Sequence, residues 1–198
     1  MEKRTYKVYK FQELPEAVRE KAIDKLQDIN VDYPWYEYDG ILDVHQAEWL
    51  KHGLKDCLFK YRTLCFEFEP GYGNYLRFIG LEVTDEEVFR KALGVSKRAW
   101  EKTRYYFPRC AARFSNTRLA FEDPEAYSGR PFTKKEEAQI DRAIETFDGW
   151  RREALAGLRR QYEYLISDKA IVETTEANDW WFRGSGEIDS LIPDAPEK

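Results

Sequence analysis

Thr133 and Glu136 stand three residues apart, just ahead of a long apolar stripe: Ile140, Ile144, Phe147, Ala154, Leu155, Leu158, Tyr162 and Leu165. A hydroxyl at the N-cap and a carboxylate at the third helical position satisfy each other's backbone donors. Residues three and four apart share one face of a helix. The pattern predicts a single helix from this capping box to Leu165, the longest in the chain. Its apolar face has to be covered by other elements. Gly149 and Gly157 lie inside it; each costs about 1 kcal/mol relative to alanine and marks a place to bend.

The remaining chain supplies shorter pieces. Thr5–Phe11 is rich in β-branched and aromatic residues and predicts a strand. Val18, Ala22, Leu26 and Ile29 then recur at helical spacing, so Glu16–Ile29 is expected as a helix. A second helix is expected to open at Pro34 and stop at Gly53. Asp56–Phe68 and Tyr75–Val83 read as two strands joined by the turn Pro70-Gly71-Tyr72-Gly73-Asn74, an antiparallel hairpin. Thr84 with Glu87 predicts a short helix ending near Gly94, and Ser96–Tyr106 another. Arg109–Phe121 is expected as a strand and Asp123–Phe132 as a loop. Ser167 caps a last helix, Asp168–Trp181. This order lacks strict βαβα alternation. The expected class is α+β: a small antiparallel sheet packed against several helices, with a long C-terminal helix. Residues 1–184 are expected to form one domain and 185–198 a loose tail.

No stretch approaches the roughly 18 apolar residues of a membrane span, and the first thirty residues carry charge throughout. A cytoplasmic protein is expected, with no membrane partner. Cys57, Cys65 and Cys110 have neither CxxC nor zinc-finger spacing. Phosphate-loop, dinucleotide, nucleophile-elbow and zinc-protease motifs are absent from the sequence. His45, Glu48 and His52 fall on one helical face and could offer metal ligands, although surface or helix-end histidines read the same way. Glu67 and Glu69 alternate onto one strand face, where Arg77 could neutralise them. Cys110 follows Arg109 without a supporting base. The expectation is a non-enzyme with no cofactor and no metal.

Net charge is −5, distributed in blocks. No basic residue lies between Lys25 and Lys51, where six acids give −6. Within that gap Asp32, Tyr33, Trp35, Tyr36, Glu37, Asp39 and Asp43 interleave carboxylates with large rings, a composition suited to docking on a basic protein surface. Residues 97–118 carry a net +6 from Lys97, Arg98, Lys102, Arg104, Arg109, Arg113 and Arg118 against Glu101. With Trp100, Tyr105 and Tyr106 among them, this block has the composition of a single-strand nucleic-acid site. In both blocks, solvated faces and internal ion pairs are the plain alternative.

Two end segments resemble a group of small phage and prophage proteins often labelled antitoxin-like. At the N-terminus the matching residues are Tyr9, Phe11, Glu13, Leu14, Ala17, Lys21, Ala22, Asp32, Tyr33, Trp35 and Tyr36. At the C-terminus they are Tyr162, Glu163, Tyr164, Leu165, Ser167, Asp168, Ala170, Ile171, Glu173, Ala177, Asn178 and Phe182. The group's Gly-rich, serine-containing strand segment is not seen in the middle of this chain. The resemblance implies a mobile-element protein in a bacterial host cell and carries over no catalytic residue. The expected function is binding and blocking a bacterial defence protein or nucleoprotein, as an anti-CRISPR inhibitor does. Two alternatives stand beside it: an antitoxin for a co-encoded toxin, and a nucleic-acid-binding accessory protein using the 97–118 block.

Overall fold

A computed structural model describes residues 7–31, 47–56, 64–67, 75–78, 81–108 and 117–189. The fold is α+β, with short antiparallel strand pairs among helices. The chain divides into two compact units: Met1–Trp35 with Arg160–Lys198, and Tyr36–Arg159.

The first unit joins the two ends of the chain. Strand β1 (Val8–Lys10) pairs antiparallel with a late strand, Trp181–Arg183, in the register Val8↔Arg183, Tyr9↔Phe182 and Lys10↔Trp181. A 3-10 turn, Phe11–Glu13, leads to helix α1 (Glu16–Lys25). Phe11, Leu14, Ala22 and Phe182 form the buried centre, with Phe11 edge-on to Phe182 at 5.6 Å between ring centroids. The turn after α1 is pinned through Asn30, which donates to the Leu165 carbonyl (2.9 Å) and accepts from Thr174 (2.7 Å). Lys10 Nζ donates to the Asp179 carbonyl at 2.6 Å and lies 3.8 Å from the centre of the Trp181 ring. Of the segment expected as a loose tail, residues 185–189 are held. Ile188 bridges to Phe182. Gly186, at φ +83°, approaches α1 so closely that a Cβ would sit 3.0 Å from the Val18 carbonyl oxygen.

In the second unit, helix α2 is described over residues 47–51 and stops at Gly53, whose φ of +74° is left-handed. Strands β2 (Leu54–Asp56) and β5 (Leu81–Val83) pair antiparallel, as do β3 (Leu64–Glu67) and β4 (Tyr75–Phe78). The expected hairpin runs therefore do face one another. Helix α3 (Glu86–Ala92) is capped by Asp85, one residue later than the expected Thr84: the Asp85 carboxylate accepts from the amides of Glu87 and Val88. Helix α4 (Lys97–Trp100) is capped by Ser96 and ends early; Tyr105–Tyr106, expected as helix, form β6 against β7 (Ala120–Phe121). The expected 123–132 loop contains helix α5 (Pro124–Ser128), with Asp123 as N-cap and Gly129 left-handed at its end.

Helix α6 (Lys134–Leu165) is continuous over 32 residues, as its stripe requires. Its buried seam is Glu136, Ile140, Ala143, Phe147, Arg151, Leu155 and Leu158. Ile144 is turned out of that seam, which runs through Ala143 instead. Helix α7 (Asp168–Ala177) stops before the expected Trp181, and the aromatic residues after it enter strand β8 (Trp181–Arg183). No helix among the described residues is long and apolar enough to cross a membrane.

Candidate interaction surface

The second unit gathers the described part of the basic block around α4. Ser96 fixes this short helix twice: its hydroxyl accepts from the Ala99 amide and donates to Gln139 on α6 at 2.8 Å. Lys102 follows the helix and turns inward. Its ammonium donates to Glu136 Oε2 at 2.7 Å and to the Pro131 carbonyl at 3.0 Å. The same carboxylate oxygen accepts the amide and hydroxyl of Thr133, at 2.8 and 3.0 Å, and Glu136 Oε1 lies 3.3 Å from Arg98 Nε. Glu136 is held from 4.5 down to about 2, first by the Lys102 hydrogen bond and then by the Thr133 amide. Lys102 was expected on a nucleic-acid surface; it is buried because Glu136 needs a cation beneath the start of α6.

The remaining cations divide. Lys97 lies 3.9 Å from Glu101. Arg104 places its guanidinium carbon 5.1 Å from the centre of the Tyr127 ring. Arg118 lines a separate cleft of about 560 Å³ with Ile144, Asp148 and Arg152. Asp148 there accepts from Arg151 Nε at 2.9 Å. Arg109 and Arg113 lie outside the described residues.

Lys97 and Arg104 line a cleft of about 720 Å³ together with Glu86, Trp100, Tyr105 and Tyr127. Its wall is aromatic: Trp100 and Tyr105 lie 5.0 Å apart at 30°, backed edge-on by Phe89. The Trp100 indole N–H donates to Glu86 Oε1 at 2.8 Å. Burial, and then the Glu86 charge, raise the Tyr105 phenol above its ordinary value. Arg90, also lining the cleft, gives its Nε and Nη2 to Glu87 at 3.0 and 2.8 Å and its Nη1 to the Val95 carbonyl. Glu86 and Tyr127 were not legible as members of this cleft. One sits on α3, and the other on α5 inside an expected loop.

The other candidates are placed as follows. The acidic, aromatic run Asp32, Tyr33, Trp35, Tyr36, Glu37, Asp39 and Asp43 lies outside the described residues, as do His45, Cys57, Glu69 and Cys110. Glu48 pairs with Lys51. His52 stacks flat on Trp150, 3.9 Å between ring centroids and 5° between planes. Burial lowers the His52 imidazole; Glu48 and Glu153 oppose this and Lys51 adds to it. Among the described residues no group of three metal-ligating side chains comes together. Arg77 stands opposite Cys65 in the ladder, and Glu67 opposite Tyr75.

Comparisons with protein-family models, with curated proteins and with solved structures give no match.

Proposed function

We propose that the protein is a non-catalytic inhibitor from a phage or other mobile element, which docks on a bacterial defence protein or nucleoprotein and blocks it in the manner of an anti-CRISPR protein. The mobile-element setting rests on the resemblance of the two chain ends. One structural observation favours a protein target over nucleic acid: three of the five described cations of the basic block are engaged by carboxylates. Lys102 and Arg98 share Glu136, and Lys97 faces Glu101. A phosphate-tracking surface needs its cations free to displace counterions. The acidic run of Asp32, Glu37, Asp39 and Asp43 has no basic residue within it. Interspersed with Trp35 and three tyrosines, it is the segment best suited to a basic partner surface.

The test is capture by the tagged full chain from a bacterial lysate containing an active CRISPR effector, with and without nuclease. The expected result is a nuclease-resistant effector protein at near-stoichiometric yield, with its target cleavage inhibited. The combined variant Asp32→Lys, Glu37→Lys, Asp39→Lys, Asp43→Lys should slow association and make it less salt-sensitive. Capture dominated by nucleic acid would return the function to the basic block. Capture of a co-encoded toxin, with rescue of its toxicity, would make the protein an antitoxin.

A further inference from the structure

The cations lining the Trp100 cleft differ in what they are free to do. Arg90 is spent on Glu87 and the Val95 carbonyl, and Lys97 faces Glu101. Arg104 is different. Its carbonyl accepts the Glu122 amide at 2.8 Å, which fixes the backbone beside β6. Its guanidinium lies over the exposed Tyr127 ring. Among the described residues no carboxylate lies within ion-pair distance of it. A guanidinium drawn to a ring face still has its N–H edge as a two-pronged donor. That edge matches a carboxylate in geometry as well as charge.

We propose that Arg104, held on Tyr127, is a docking point for a single carboxylate side chain of a protein partner. The rest of the cleft selects this class. Glu86, Glu87 and Glu101 line the same cleft. Glu87 and Glu101 are paired there with Arg90 and Lys97, which leaves Arg104 as the cleft cation without a carboxylate among the described residues. A nucleic-acid strand presents a phosphate every few ångströms and needs several free cations, whereas an isolated aspartate or glutamate needs only the fork of Arg104. Tyr127 and Tyr105 supply aromatic surface beside the carboxylate. The inference rests on the protein-binding reading and adds a second element to it: the partner offers an acidic side chain here, besides basic ones for the acidic run.

The probe is the peptide acetyl-Tyr-Glu-Tyr-amide, against acetyl-Tyr-Gln-Tyr-amide and an oligo-dT strand. The readout is the indole N–H resonance of Trp100 in the full-length ¹⁵N-labelled protein, assigned by its loss in Trp100→Phe. The glutamate peptide should bind at least about fivefold more tightly than the glutamine peptide, the scale of a charge-assisted contact. Arg104→Gln should erase the difference, Tyr127→Ala should reduce it, and Arg118→Gln, in the other cleft, should leave it intact. Arg104 is exposed, so unchanged resonances elsewhere certify that its variant is folded. Equal binding of both peptides overturns the proposal. So does tighter binding of oligo-dT with a steep salt dependence. If lysate capture of an effector fails while the peptide difference persists, the defence-target reading falls and the docking point stands.

Discussion

The ammonium of Lys102 lies 2.7 Å from the Glu136 carboxylate oxygen that also accepts the Thr133 amide at the start of α6. Helix initiation and the inward turn of the basic block thus meet on one oxygen atom.

Stability should therefore depend on acid through Glu136. Its carboxyl is depressed from 4.5 to about 2, so its contribution is complete above 4.5 and is lost as pH falls from there toward 2. Glu136→Gln should lower the urea midpoint at neutral pH and flatten its decline through that window. Glu87 is also depressed to about 2, by Arg90 first and then Lys91, but its side chain is 57% exposed. Added salt should screen the contribution of Glu87 and spare that of Glu136.

Gly53 and Gly94 are both left-handed, at φ +74° and +72°, and they should respond differently to alanine. At Gly94 a Cβ meets nothing within 4 Å, so the cost is the left-handed backbone alone, about 1–2 kcal/mol. At Gly53 the Cβ would stand 2.5 Å from the Asp85 carbonyl oxygen and 3.0 Å from the Phe89 amide nitrogen. Both are backbone atoms at the start of α3, so the chain itself has to shift. Chemical unfolding should place Gly53→Ala at least about 2 kcal/mol below Gly94→Ala, in the range of strain at a special backbone site.

His52, flat against Trp150, should titrate below the ordinary 6.5. The unfolded chain then binds a proton that the folded chain refuses between the two values. Stability falls as pH drops through 6.5 and levels off below the folded value. Proton NMR of the imidazole should give a midpoint under 6.5, and His52→Phe should remove this segment of the pH dependence. A midpoint at or above 6.5 would mean that attraction to Glu48, Glu153 and the indole face outweighs burial.

Phe182 is fully buried against Phe11. Phe182→Ala should cost about 3–5 kcal/mol, the range for emptying an aromatic site. Because Tyr9 and Phe182 are register partners, the loss should be read in amide exchange at β1 as well as at β8.

Helices were legible where a cap and a period agree. Thr133 with Glu136 and Ser167 with Asp168–Ala177 both carry a hydroxyl cap ahead of an apolar repeat, and both helices start where those residues place them. Short elements were less so. The Asp123-Pro124 start and Gly129 stop of α5 are visible afterwards, but five residues hold no full apolar period. Tyr105–Tyr106 continued a helical run until their partners, Ala120–Phe121, settled them as strand, and such pairing is a long-range fact. The candidate cleft shows the same division. Lys97, Trp100, Arg104 and Tyr105 were picked out by composition, whereas Glu86, Arg90 and Tyr127 joined them only through tertiary structure. The inward turn of Lys102 was not legible, since a lysine in a basic run carries no local mark of the carboxylate awaiting it thirty-four residues on.

The antiparallel pairing of Val8–Lys10 with Trp181–Arg183 also sets an order in time. A ribosome makes β1 well before its partner strand. The whole of Tyr36–Arg159 is synthesised in between. At ordinary translation rates that interval is on the order of ten seconds. Throughout it, Phe11 and Leu14 have no Phe182 to cover them. The apolar side chains of the nascent N-terminal segment thus stay open to water until Trp181–Arg183 emerges.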